Sequence, residues 1–188
     1  ALYFGRQVWE IQTMADMLQK TRKCRRCVGA GFDAVRPPPV FSGTLDASLL
    51  IIGQAPGLTE YEQQSPLIGS SGNRLFSWLQ QAVVEESWIR QHVLIFQRYL
   101  CYPGKRPGGN GDRRPGSEKL ELCSPHLSSL LFLMTGLNLK LISPIGRLAI
   151  DAFYDPSKTL EEIMRVQMGY SSAHAVYLET NTRYPTPL

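Results

Sequence analysis

The chain carries four cysteines, Cys24, Cys27, Cys101 and Cys123. Thiolates are soft ligands suited to zinc or iron-sulfur centres, and the Cys24-x2-Cys27 spacing lets one tight turn aim two sulfurs at one centre. The competing reading is buried free thiols acting as small apolar residues. Cys24 and Cys27 lie in the run Lys20-Thr21-Arg22-Lys23-Cys24-Arg25-Arg26-Cys27, a poor place for apolar burial and a good one for thiolates that leave net negative charge. Cys101 is followed by Tyr102-Pro103-Gly104 and Cys123 by Ser124-Pro125, so the backbone can turn at both toward a shared centre. A four-cysteine zinc ribbon would show a second C-x2-C pair. Two distant single cysteines favour an iron-sulfur cluster over zinc.

A second stretch able to do chemistry is Gly53-Gln54-Ala55-Pro56-Gly57, followed by Glu60 and by Pro66-Leu67-Ile68-Gly69-Ser70-Ser71-Gly72. By itself it is also compatible with a plain strand-to-helix loop. The third feature is charge. Between Arg98 and Arg114, Arg98, Lys105, Arg106, Arg113 and Arg114 stand against Asp112 alone, an excess equal to the whole formal net charge of +4. With Lys20 to Arg26 this makes two basic stretches beside proposed metal ligands, for which a phosphate backbone is the natural counterpart. Solvated surface charge is the plain alternative.

The elements that must position these residues follow from periodicity. Val8, Ile11, Met14, Met17 and Leu18 predict an amphipathic helix over Val8 to Lys20. Leu49 to Ile52 is a short apolar run of the kind that forms a buried parallel strand, and it feeds the Gly53 loop. A helix is predicted over Ser71 to Val84, and a second strand over His92 to Leu100, which would deliver Cys101 at its carboxyl end. Lys105 to Pro115 reads as a basic loop. Further predictions are a helix over Ser117 to Met134, a strand over Leu139 to Pro144, helices over Arg147 to Phe153 and Glu161 to Val166, and a fourth strand at Ala175 to Leu178. Alternating strands and helices imply an α/β/α sandwich around a mostly parallel four-stranded sheet, with ligands bound outside the carboxyl ends of the strands. Gln54 and Gln97 fall at such ends.

With 188 residues, 43% of them hydrophobic, the chain is expected to form one domain over 1–188. It has no apolar run of bilayer-spanning length and no secretory-leader pattern at its amino terminus, so a cytoplasmic monomer without membrane contact is expected. Cysteines kept as metal ligands fit a reducing compartment, and disulfides stay open as an alternative.

Taken together, the C-x2-C pair, the GQAPG loop with Glu60, Pro66-Leu67-x-Gly69-x-x-Gly72, Cys101-Tyr102-Pro103-Gly104-Lys105 with Gly111-Asp112-Arg113 and Pro115, Cys123, and Pro144-x-Gly146-Arg147 resemble the iron-sulfur family of uracil-DNA glycosylases. The likeness covers most of the chain. It implies a four-iron four-sulfur cluster on Cys24, Cys27, Cys101 and Cys123, and removal of uracil from single- or double-stranded DNA. It also implies a base pocket from Gly53, Ala55, Pro56, Gly57, Leu67 and Gln97, catalysis by Gln54 or Glu60, and a phosphate grip by Lys105, Arg106, Arg113 and Arg114. The chemistry is coherent with those residues. A base in duplex DNA must be flipped out, which calls for cations around a shaped pocket. Glycosidic cleavage builds positive charge on the sugar and negative charge on the base, which calls for a polar group near the water and donors near the base.

Several residues depart from the family pattern. Gln54 stands where the family has Glu, and an amide positions water but is no base. Glu60 and Glu62 are the nearby carboxylates that would compensate, against a plain reading as exposed loop charges. Leu67 replaces a base-stacking Phe, and Gln97 replaces a base-reading Asn, extending its amide by one methylene. These changes admit xanthine, hypoxanthine or another deaminated base as substrate. The family's late H-P-S motif is not reached by Leu188, so the domain is expected to lack its carboxyl-terminal end; His92, His126 and His174 read as structural or surface histidines. Two further functions stay open: a non-catalytic iron-sulfur module that binds damaged or single-stranded DNA, and an electron carrier.

Overall fold

The computed structural model describes residues 2–137 and 139–169. Among them, β1 (Leu49–Gly53), β2 (Val93–Gln97) and β3 (Leu141–Pro144) form a parallel sheet in the order β2-β1-β3. The chain order of the helices is α1 (Leu2–Arg22), α2 (Arg26–Gly29), α3 (Leu58–Gln63), α4 (Ser70–Gln81), α5 (Glu86–His92), α6 (Ser117–Gly136), α7 (Arg147–Ile150) and α8 (Leu160–Gly169). The expected fourth strand at Ala175 to Leu178 lies outside the described residues, so the described sheet has three strands rather than four.

Strand alternation assigns the two faces. Leu50, Ile52, Leu94 and Phe96 point into the larger core, where Met14 and Leu18 of α1 meet Leu127, Leu130 and Met134 of α6. Ile51, Val93 and Ile95 point the other way, against Leu67, Phe76 of α4 and Ile89 of α5. Helices therefore cover both faces, as expected of a parallel sheet. Full burial of each such side chain is worth about 1.5–3 kcal/mol, so the sheet is a rigid base for the loops at its carboxyl ends. No helix among the described residues is long and apolar enough to cross a membrane.

Some boundaries differ from expectation. The second strand begins at Val93 because His92 closes α5, a short polar helix without a clear apolar period. It ends at Gln97 because the chain then turns, the N–H groups of Arg98 and Tyr99 donating to the carbonyls of Gly53 and Gln54 (2.8 and 3.0 Å). Cys101 thus lies on a loop rather than at the strand end. Pro125 interrupts the hydrogen bonding of α6, and the Glu121 carbonyl that lacks its N–H accepts the Ser124 hydroxyl instead (2.9 Å).

Candidate functional site

Gly53 and Gln97 end adjacent strands in register. A Cβ at Gly53 would stand 2.2 Å from Gln97 Oε1, so only glycine leaves space for that carboxamide. Gln97 is 1% exposed, and its Oε1 has no hydrogen-bond partner. An unsatisfied buried acceptor costs about 1–3 kcal/mol. Such a cost is tolerated where a ligand's donor completes the bond.

Gln54 follows at the mouth of the sheet and is exposed. Its Oε1 accepts the N–H of Leu148 in α7 (3.1 Å). The approach depends on Gly146, whose φ of 84° suits glycine and whose Cβ would lie 2.7 Å from the Gln54 carboxamide carbon. A backbone N–H can only donate, so the amide oxygen faces Leu148 and the –NH2 group takes the other side. Gln54 presents a donor where an acceptor would be needed to draw a proton from water.

Glu60 is not an exposed loop charge; it is 9% exposed. Its Oε2 accepts the N–H of Gly57, the N-cap of α3 (2.6 Å), and its Oε1 accepts the N–H of Leu67. Both oxygens are committed to holding the Gly53 loop against the Leu67 loop. Glu62 is exposed on α3 rather than on a loop. Leu67 has a φ of 56°, an uncommon state for a residue with a Cβ, and its side chain is buried in the smaller core. Its conformation is held from three sides. Glu60 takes its N–H, Arg90 donates to its carbonyl and to that of Pro66 (3.1 Å each), and Gly72 packs so closely that a Cβ there would sit 1.9 Å from the Leu67 oxygen. Arg90 was not legible from sequence because it lies on α5.

The basic segment folds onto the same loop. Lys105 and Asp112 form an isolated antiparallel bridge, Arg113 Nε donates to the Lys105 carbonyl (2.7 Å), and the Tyr102 hydroxyl donates to Asp112 (2.8 Å). Burial, followed by this carboxylate, pushes the Tyr102 phenol up to about 12. A Cβ at Gly57 would lie 3.2 Å from Asp112 Oδ2, so the basic loop rests against the Gly53 to Gly57 turn. Lys105, Arg106 and Arg114 are exposed and Arg113 is half-buried.

Cys24, Cys27, Cys101 and Cys123 line one pocket, together with Tyr99 and His126. All four are free thiols, and the Tyr99 hydroxyl donates to Cys27 Sγ (3.2 Å). Burial, with the neighbouring cysteines adding, pushes the Cys101 thiol far up, and burial likewise pushes Cys123 up to about 12. Among the described residues, no three His, Cys, Asp or Glu side chains converge as one bare ion would require. The four thiols line this one pocket and are the soft donors here that could hold a metal centre.

The uracil DNA glycosylase superfamily is matched over residues 40–186, a span that holds the Gly53 loop, Glu60, Leu67, Gln97, the basic loop and Gly146. The chain belongs to the uracil DNA glycosylase superfamily. Comparison with the curated proteins gives no match. Superfamily members typically hydrolyse N-glycosidic bonds and act on DNA, and the match starts after Cys24 and Cys27.

In this superfamily member the described histidines stand away from the Gly53 loop. His92 Nδ1 is within hydrogen-bonding distance of the Trp88 carbonyl (2.9 Å). His126 Nδ1 pairs with Thr21 Oγ1 (3.1 Å), while its Nε2 is buried without a partner beside the cysteine pocket. Burial, then Arg26, holds its pKa below the usual imidazole range. His174 lies outside the described residues. The groups that do meet at the carboxyl ends of β1 and β2 are the turn of Gly53 to Gly57, Gln54 and Gln97.

Proposed function

We propose that this chain is a DNA repair glycosylase that flips out and removes uracil, or another deaminated base such as hypoxanthine or xanthine, from DNA. The observation that carries the reading is the buried, unpartnered carboxamide oxygen of Gln97 beside Gly53. It offers an acceptor to a base N–H, and the glycine at position 53 leaves the room that this carboxamide occupies. The bases that deamination produces carry a ring N–H next to a carbonyl, and a carboxamide matches that edge with one acceptor and one donor.

In the reaction, water adds to the sugar carbon C1′, the bond from C1′ to the base nitrogen breaks, and the base leaves with a proton from the medium. Gln54 supplies a hydrogen-bond donor, so bond breaking must run well ahead of water attack; a dissociative transition state of that kind needs little deprotonation of water. Glu60 braces the two loops and keeps the turn amides aimed at the leaving base. Lys105, Arg106, Arg113 and Arg114 hold backbone phosphates. Cys24, Cys27, Cys101 and Cys123 would hold a four-iron four-sulfur cluster. When bound, that cluster supplies cross-linking of the amino-terminal segment, the Cys101 loop and α6, coupling site formation to folding.

The test is single-turnover release of free base from oligonucleotides carrying uracil, hypoxanthine or xanthine in single and double strands. Release from one of them above the undamaged control supports the proposal. A second reading, a non-catalytic module that binds damaged or single-stranded DNA, is favoured by one observation, the turning of the Gln54 oxygen to Leu148. Tight binding to all these oligonucleotides without release would select it.

A further inference from the structure

Of the basic stretch, Arg98 alone stands at the carboxyl end of β2, apart from the Lys105 to Arg114 loop. Arg98 directly follows Gln97, and its N–H is tied to the Gly53 carbonyl (2.8 Å). Its Nη1 is shielded from solvent and has no hydrogen-bond acceptor. Leaving a guanidinium nitrogen in that state is costly unless an anion completes it. Arg98 lines a half-open cavity of about 330 Å3 together with Arg114, Ser117, Leu120, Leu148 and Asp151, roughly ten times the volume of one water.

The charge balance of this cavity is positive. Its carboxylate, Asp151, lies against Arg147 from outside the cavity lining, with its Oδ1 buried and without a hydrogen bond, so the guanidinium groups of Arg98 and Arg114 outnumber the one carboxylate two to one. Ser117 opens α6, a helix of 20 residues, so the cavity also lies at the positive end of a long helix dipole. Leu148 connects the two places. It lines the cavity and donates its N–H to Gln54, so an anion held here would lie beside the residue that fixes the Gln54 amide.

We propose that Arg98 and Arg114 together clamp one backbone phosphate of the DNA strand, next to the nucleotide whose base enters the Gln97 slot. This rests on the DNA-binding part of the proposed function. Planar guanidinium forks match phosphate oxygens in a way that one ammonium does not. A phosphate fixed behind Leu148 would hold the sugar of the flipped nucleotide in register with Gln54, which is positioning rather than chemistry.

The experiment is fluorescence anisotropy of uracil-containing and undamaged oligonucleotides over a salt series, with the full chain and the variants Arg98→Gln, Arg114→Gln, the double variant and Arg98→Lys. Each glutamine variant should weaken both DNAs alike. The double variant should lower the slope of log affinity against log salt by about one, the value for a single phosphate. Its loss of affinity should be smaller than the product of the two single losses, because both arginines share one partner. Arg98→Lys should keep most of the slope, which separates loss of charge from loss of fold. An unchanged slope in the double variant would overturn the clamp, as would a slope reduced by about two, which would mean two separate surface contacts. Weakening confined to the uracil-containing DNA would overturn it too, by making Arg98 a base reader. Absence of DNA binding by the unmodified protein at low salt would instead remove the DNA reading on which the clamp stands.

Discussion

Replacing Gln54 by Glu exchanges one –NH2 group for an oxygen and leaves the side chain's shape unchanged. In the native arrangement Oε1 accepts the Leu148 N–H at 3.1 Å, and nothing in the exchange disturbs that bond. A carboxylate would strengthen it, since hydrogen bonds to charged acceptors are roughly twice as strong as neutral ones. The second oxygen would then occupy the place of the present –NH2 group, turning a donor into an acceptor able to orient water and face the positive sugar. Gln54 is exposed, so the new charge stays hydrated and its desolvation cost is small. One well-placed charge-stabilising group is worth about 3 kcal/mol in the transition state, roughly a hundredfold in rate. Gln54→Glu should therefore raise single-turnover excision of uracil by about that factor while leaving DNA affinity nearly unchanged. The gain should be lost as pH falls through the carboxyl pKa, about 4.3 for an ordinary glutamate, an acid limb that the amide of Gln54 cannot produce. No gain, or a loss, with DNA binding intact would refute the reasoning and show that the water is not held at Gln54.

Glu60→Gln should destabilise the fold by about 1–3 kcal/mol in urea unfolding, because an amide cannot accept from both the Gly57 and Leu67 N–H groups; full stability with lost excision would make Glu60 a catalyst rather than a brace. Gly146→Ala should cut excision and cost about 1–2 kcal/mol, since its φ of 84° and the Gln54 carboxamide 2.7 Å from the added Cβ both oppose it, and a crystal structure with Gln54 still on Leu148 would contradict this. The purified protein should contain about four irons with matching sulfide per chain, and Cys101→Ser should lower both iron content and thermal stability; one zinc per chain and no iron would reject the cluster. Replacing Arg106, Arg113 and Arg114 by Ala should reduce the salt slope of DNA binding by up to about two, because Arg98 still holds the phosphate it shares with Arg114, and an unchanged slope would leave them as surface charge.

Much of the scaffold was legible because it is encoded by neighbours in the chain. The run Leu49 to Ile52, short, apolar and bounded by turns, read as the buried strand it is, and the apolar periods of Ser71 to Val84 and Ser117 to Met134 placed α4 and α6 within a few residues. The order of strand, glycine-rich turn and helix put Gln54 and Gln97 at the carboxyl ends of parallel strands. α5 escaped because seven mostly polar residues carry no period, and the start of β2 shifted with it. Leu67 in the left-handed region was also beyond the sequence, since its backbone is set by Arg90, Glu60 and Gly72 acting at once.

By itself, the sequence determined the α/β order, the candidate residues and the proximity of cations to cysteines, all of which depend on residue type and local spacing. Only the tertiary structure decided what those residues do for one another. The amide of Gln54 is turned by an N–H 94 positions away, Glu60 is taken out of solvent by two loops that close over it, and Arg98 meets Arg114 only because the segments carrying them converge beside α6. Hydrogen-bond polarity and burial are properties of whatever happens to lie opposite a side chain. That partner is chosen by the packing of the whole sheet and its helices, so local spacing names the group and the fold assigns its direction.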